Sequence, residues 1–112
     1  MASSTTFTIK RNDTKKAIDG ILKANTTVVN LTQCTVKFIM ALSTKKNAVP
    51  KVSKAASIVD ATAGTVSYQW VVGDLDTTGV YNAEWEVTFL DGKIATFPDD
   101  GYLTVNVVAD LG

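Results

Sequence analysis

Acidic side chains are the groups in this sequence best suited to chemistry, and several of them fall in segments that read as loops. These are Asp74, Asp76, Asp91, Asp99 and Asp100. Calcium needs several converging oxygens, and the Asp-Leu-Asp spacing at 74–76 is ligand-like, but no complete loop motif is present. Aspartate is also a favoured turn residue. Paired carboxylates around a cleft could hydrolyse glycosidic bonds, yet nothing in the sequence places two in that way. We therefore expect no metal and no cofactor.

Nucleophilic catalysis lacks its usual partner, because the sequence contains no histidine. Ser-His-Asp and Cys-His arrangements are therefore impossible within the chain. Cys34 is the single cysteine, so it can form neither an internal disulfide nor a thiolate zinc site alone. It is in phase with Val36 and Phe38, which favours a buried small hydrophobe over a reactive thiol. We expect a protein that is not an enzyme.

The two tryptophans, Trp70 and Trp85, have two possible roles. Exposed aromatic rings can stack on sugars, whereas rings in phase with apolar neighbours pack in a core. Each tryptophan is in phase with apolar neighbours on its own strand, so core packing is the prediction. Phe38 and Phe89 share that pattern, and we predict a structural role for all four residues.

Charge gives no sign of a polyanionic partner. The 112 residues include 11 basic and 11 acidic side chains, so the net charge is zero. Lys10, Arg11, Lys15 and Lys16 are the best candidates for a local basic patch, but a solvated segment is the simpler interpretation. We expect no nucleic acid and no membrane partner. Neither a signal peptide nor a transmembrane stretch is recognisable, which predicts folding in a reducing cytoplasm.

Alternating hydrophobicity indicates the elements that position these residues. Residues 34–42, 65–71, 79–89 and 102–108 alternate with period two, as half-buried strands do. Asp91-Gly92 is a strong hairpin signal. Shorter strands are expected at 7–9, 28–32 and 55–60. Apolar residues within 17–22 have helical spacing, but Gly20 in their middle argues against a helix, so residues 13–23 are predicted to follow an extended, edge-like path. Residues 43–54, rich in Lys and Asn, are predicted to form a mobile surface loop.

Seven or eight short strands separated by turns indicate a sandwich or a barrel. Alternation alone does not choose between them. The length favours a single domain over residues 1–112, with residues 1–6 as a flexible arm.

One segment favours the sandwich. Residues 76–83 resemble the tyrosine corner of immunoglobulin-like domains, in which a tyrosine hydrogen-bonds backward to the backbone. Tyr81 fits that structural role, and Ala83 stands where antibody domains carry a disulfide cysteine. The fold prediction is therefore all-β: an immunoglobulin-like antiparallel β-sandwich.

The order of several stretches along the whole chain gives a resemblance to a known family. Residues 7–14, 29–40, 64–70, 79–87 and 91–102 together are similar to the N-terminal domain of tailed-phage upper baseplate proteins, an immunoglobulin-like module. The resemblance implies a structural role in the virion without catalysis. It implies other virion proteins as partners, homo-oligomerisation in the particle, and assembly in the host cytoplasm.

The leading hypothesis is thus a non-catalytic phage or prophage virion protein, a baseplate or tail module that acts through protein–protein contacts. Residues 1–6 and 43–54 are the segments expected to order on a partner. One alternative is a decoration protein of the capsid, neck or tail. Another is a carbohydrate- or cell-surface-binding module, which would need an exposed aromatic platform or a calcium-organised loop cluster.

Overall fold

A computed structural model describes residues 6–44, 49–98 and 101–111. Eleven strands and no helix occur in these residues, so the all-β prediction is confirmed. The strands are β1 (Thr6–Lys10), β2 (Ala17–Ile21), β3 (Lys23–Ala24), β4 (Thr27–Val28), β5 (Thr35–Leu42), β6 (Val52–Ala55), β7 (Ser57–Asp60), β8 (Thr65–Gln69), β9 (Gly79–Thr88), β10 (Ile94–Phe97) and β11 (Leu103–Val108).

The large sheet is built around β9, the longest strand. Its order is β1-β11-β9-β5-β6, and β10 also pairs with β9. One edge of β9 pairs with β5, while β11 and β10 share the other edge, at opposite ends of the strand. The expected hairpin at Asp91-Gly92 is confirmed, because β9 and β10 pair antiparallel around it. Gly92 has φ +88, the positive angle that makes glycine favourable in such a turn.

One strand pair contradicts the antiparallel prediction. β1 runs parallel to β11, so the large sheet is mixed. Alternation along β1 shows which residues face the core, but it carries no information about the direction of a neighbouring strand. The parallel pairing places β1 and β11, the first and last of the described strands, side by side.

The small sheet has the order β2-β8-β7, and β3 and β4 form a separate two-stranded hairpin. The backbone passes directly from one sheet to the other at one point. β6 belongs to the large sheet and β7 to the small one, with only Ala56 between them. The Ala56 amide still donates to the Val36 carbonyl of the large sheet, at 2.8 Å. The two sheets form a sandwich-like arrangement and not a closed barrel.

The core lies between the two sheets, where alternating positions of the long strands are buried. β9 contributes Tyr81, Ala83, Trp85 and Val87, and β5 contributes Val36, Phe38 and Met40. The small sheet contributes Ile18, Val66 and Tyr68. This alternation is what a sheet needs when one face is dry and the other faces water.

The expected number of strands, seven or eight, is too low. Strands of two residues, such as β3 and β4, are too short to show a period. Residues 43–54 also need correction, since Val52 begins β6 and is 1% exposed. Its neighbours Lys51 and Ser53 are polar, and a single buried residue among them leaves no readable alternation. Residues 1–5 of the predicted arm and residues 45–48 of that loop lie outside the described residues.

Candidate functional site

The loop between β8 and β9 contains the segment predicted to form a tyrosine corner. The Tyr81 hydroxyl donates to the Thr77 carbonyl oxygen at 2.8 Å, four residues upstream. The Tyr81 side chain is buried, and burial raises the pKa of its hydroxyl. The bond therefore ties the end of the loop to the first buried residue of β9.

The start of the same loop is held by Asp74, which is 2% exposed. One of its carboxylate oxygens accepts from the Tyr68 hydroxyl at 2.6 Å and from the Val71 amide at 3.0 Å. The other accepts from the Lys54 ammonium at 2.9 Å. Burial, followed by the bond to Asp74, raises the pKa of Tyr68 above its ordinary range. A carboxylate is costly to bury unless hydrogen bonds replace its contacts with water, and these three donors supply them.

Asp74 and Asp76 therefore have partners that a calcium ion would displace. Asp76 accepts from the Lys51 ammonium, and that bond lowers the pKa of its carboxyl. The Asp91 carboxylate caps the backbone amide of Lys93 at 3.0 Å, a turn role. Over the described ranges, no three His, Cys, Asp or Glu side chains are grouped as metal ligands. Asp99 and Asp100 lie outside those ranges. The three loop aspartates that the structure describes are thus hydrogen-bonded to other residues of the protein.

Two of the aromatic residues named from the sequence, Trp70 and Trp85, contact a third, Phe38, and Tyr68 joins this group. The Phe38 ring centroid lies 5.0 Å from Tyr68, 5.6 Å from Trp70 and 4.9 Å from Trp85. Both tryptophans are 1% exposed. Neither can therefore serve as the exposed platform that the sugar-binding alternative requires. Phe89 differs: it lies just beyond the end of β9, half-buried against the core.

Cys34 lies in the turn before β5 and not in the strand. The residue is half-buried, so the expectation of a buried side chain is only partly met. Burial, with a smaller contribution from Asp91, raises the pKa of its thiol. At neutral pH the group is therefore a thiol and a poor nucleophile.

Two glutamates, Glu84 and Glu86, lie on the outer face of the large sheet and influence each other electrostatically. They alternate with buried residues of β9 and lie opposite Ile39 and Lys37 of β5. Burial and, to a smaller degree, the charge of Glu86 raise the pKa of Glu84. Glu84 is half-buried, as Glu86 is, on this face of β9. The sequence shows Glu84 as an ordinary solvent-face residue and gives no sign of its burial.

One of the four basic residues named from the sequence, Arg11, has an acidic partner within the fold. The Arg11 guanidinium donates twice to Asp110, at 2.7 and 3.1 Å, and lowers the pKa of that carboxyl. Lys10 ends β1, while Lys15 and Lys16 are exposed in the connection to β2. The arginine is thus neutralised locally, and it ties the segment after β1 to the segment after β11.

Among the described residues no helix is long and apolar enough to cross a membrane. The family model described as the BppU N-terminal domain matches residues 2–110. No curated protein matches the chain. The family match spans nearly every residue and agrees with the resemblance read from the sequence. The chain therefore belongs to the family of BppU N-terminal domains, the N-terminal domains of phage baseplate upper proteins.

Proposed function

We propose that this protein is a non-catalytic structural component of a phage or prophage virion, which acts in the baseplate through protein–protein contacts. The observation that carries the proposal is the family match over residues 2–110. It implies interaction with other phage proteins, and the same setting favours assembly in the host cytoplasm. Homo-oligomerisation in the particle is part of the proposal, because most soluble oligomers are symmetric assemblies of identical subunits.

The chemistry of the chain supports a role without catalysis. Histidine is absent from the sequence, and the Cys34 thiol has a raised pKa. The buried Asp74 is occupied by three donors of the fold. The raised pKa of Glu84 arises on an outer sheet face, with Glu86 beside it and no nucleophile–base pair opposite. General acid–base catalysis needs a proton donor and acceptor aimed at one substrate position.

We also propose that the sandwich is immunoglobulin-like. In that fold one sheet contains strands B, E and D, and the other contains C, F and G, with C′ added in some domains. The orders β2-β8-β7 and β11-β9-β5-β6 fit these two sets. On this assignment β9 is strand F, and Tyr81 near its start makes the backward bond of a tyrosine corner. Ala83, two residues later, then replaces the disulfide cysteine.

The whole chain is proposed to fold as one domain whose stability depends on the aromatic cluster and the corner. The ring contacts of Phe38 with Tyr68 and Trp70 join the two sheets, and Trp85 packs beside Phe38 within the large sheet. Tyr81 fastens the loop before β9, and Phe89 covers the core at the other end of that strand. A stable sandwich gives an assembly protein a fixed surface to present to its neighbours.

Deletion of the gene in the encoding phage, with complementation in trans, tests the proposed function. Electron micrographs of the mutant lysate should show tails whose distal structure is missing or reduced, and complementation should restore it. Heads and tail tubes should be unchanged. Infectious particles with a normal distal structure in the deletion mutant would contradict the proposal.

A further inference from the structure

The outer edge of β1 is an open sheet edge in the described part of the chain. β1 pairs only with β11, in the order of the large sheet. The Arg11 amide donates to the Val108 carbonyl at 2.7 Å and so continues that ladder. Backbone groups alternate along a strand, so Phe7 and Ile9 also direct theirs at β11. Thr6, Thr8 and Lys10 therefore present their backbone groups to the open side; we call this row the β1 edge.

Three other strand edges, those of β6, β7 and β2, carry features that hinder pairing with another chain. β6 turns into the small sheet after Ala56, and β7 has a register shift between Ile58 and Asp60. β2 contains Gly20, which weakens a strand. β1 reads Thr-Phe-Thr-Ile-Lys, with high β propensity and no glycine, proline or bulge. Soluble proteins usually protect such an edge, and only Lys10 does so here.

We propose that β1 pairs antiparallel with β1 of a second copy of this chain, about a two-fold axis at Thr8. This inference deepens the assembly role proposed above and rests on it for its setting. The two large sheets would become one continuous sheet across the interface. A contact of this kind is isologous, because each copy offers the same strand.

The sequence of β1 is complementary to itself in an antiparallel pair, and this favours a second copy of the chain as the partner of the β1 edge. An axis at Thr8 places Thr8 opposite Thr8 of the second copy, and Thr–Thr pairs are favourable across strands. Lys10 then lies opposite Thr6 of the second copy, so no two like charges face each other. On the core side, Phe7 lies opposite Ile9 of the second copy, an aromatic and β-branched pair. Phe7 is half-buried beside Trp70, at 6.1 Å between ring centroids, so its remaining exposed surface would be covered.

The hydrogen bonds follow from the same register. Thr8 would exchange both backbone bonds with Thr8 of the second copy, and each Lys10 amide would reach a Thr6 carbonyl. The Lys10 carbonyl already accepts from the Asp13 amide at 3.2 Å, so it is not counted as an acceptor between the copies. About four backbone hydrogen bonds remain, two between the Thr8 residues and two from Lys10 amides to Thr6 carbonyls. So small a contact gives a weak dimer in dilute solution. It becomes substantial where other contacts hold two copies close together, as in a symmetric particle.

Cysteine cross-linking tests this register with matched controls. In a Cys34→Ser background, Thr8→Cys places two thiols across the axis. Lys10→Cys, on the same edge, places them roughly 13 Å apart along the strands. Ser53→Cys lies exposed in β6, at the opposite edge of the same sheet. With a short bis-maleimide at high protein concentration, Thr8→Cys should cross-link about tenfold faster than either control. Equal rates for the three variants, or no cross-linking of Thr8→Cys, would overturn the inference.

A second variant tests the backbone bonds directly. Thr8→Pro removes an amide that points away from β11, so the fold should tolerate it. Sedimentation equilibrium should show weak dimerisation of the wild-type chain and its loss in Thr8→Pro. A dimer of unchanged strength in Thr8→Pro would contradict pairing through β1. In particles, cross-linking of Thr8→Cys to a different protein would also contradict it.

The edge inference and the proposed function fail in distinguishable ways. Baseplates that contain the chain but give no Thr8-to-Thr8 cross-link would overturn only the β1 pairing. Absence of the chain from baseplates would overturn the function, whatever the cross-linking result in solution.

Discussion

Gly20 of β2 lies directly against the indole of Trp85 across the sandwich. A Cβ atom built on Gly20 would lie 3.0 Å from Nε1 and 3.2 Å from Cε2 of Trp85. Gly20 alternates in phase with the buried Ile18, so its missing side chain is on the core side. The glycine that argues against a helix in this segment thus has a packing reason: it makes room for the largest side chain of β9.

Gly20→Ala should therefore destabilise the fold by about 1–3 kcal/mol, because overpacking a filled core forces its neighbours to move. Chemical denaturation monitored by tryptophan fluorescence and circular dichroism measures this change. The matched control is a double-mutant cycle with Trp85→Phe, since the smaller ring frees space for the methyl group. Gly20→Ala should cost clearly less in the Trp85→Phe background. If Gly20→Ala lowers the free energy of unfolding equally in both backgrounds, the contact between Gly20 and Trp85 does not cause the loss.

Tyr81→Phe should lower the free energy of unfolding by about 1 kcal/mol, because it removes only the hydroxyl that donates to Thr77. The ring and its packing remain. Tyr102→Phe is the control, since Tyr102 is 51% exposed and its change should have little effect. If denaturant midpoints show the two variants equally stable, the corner bond does not stabilise this fold.

Asp74→Ala should cost about 3 kcal/mol, since it leaves the Tyr68 hydroxyl and the Val71 amide without their acceptor. Asp76→Ala, two residues further along the same loop, removes an exposed carboxylate and should cost much less. Thermal and denaturant unfolding of both variants checks the difference. Similar losses for the two would mean that the buried network contributes no more than the surface ion pair.

Alkaline titration should separate the tyrosines. The folded pKa of Tyr68 is raised above its ordinary value of 10.0, while the unfolded side chain loses its proton near that value. The folded state then holds the proton more tightly, so the contribution to stability is full below pH 10 and is lost as the pH rises further. Tyrosinate absorbance should show Tyr68 ionising only when the chain unfolds. Tyr68→Phe should remove that part of the pH dependence, and an unchanged profile would contradict the assignment.

Much of the large sheet follows from the sequence because its strands are long and have one dry face. Tyr81, Trp85 and Val87 alternate with polar residues in the sequence, and the structure buries all three. The hairpin at Asp91-Gly92 can be predicted equally well, because the positive φ that its turn needs depends only on the local presence of glycine. The family resemblance was readable for a different reason: it depends on the order of several stretches along nearly the whole chain.

Features that depend on distant partners could not be predicted. The parallel pairing of β1 with β11 joins opposite ends of the chain, and β1 alone would look the same beside an antiparallel neighbour. Asp74 reads as a turn residue, because its burial depends on Tyr68 and Lys54 arriving from two other strands. The change from the large to the small sheet at Ala56 cannot be predicted from the sequence either, because a single alanine between two strands gives no turn signal.

A structural component of the baseplate must be present in purified particles and must separate with their baseplates. Mass-spectrometric protein counting of purified particles, separated into heads, tail tubes and baseplates, measures this. We predict that the chain is enriched in the baseplate fraction at a fixed copy number per particle. Its absence from purified particles, or its recovery with heads in place of baseplates, would show that the chain is not a baseplate component.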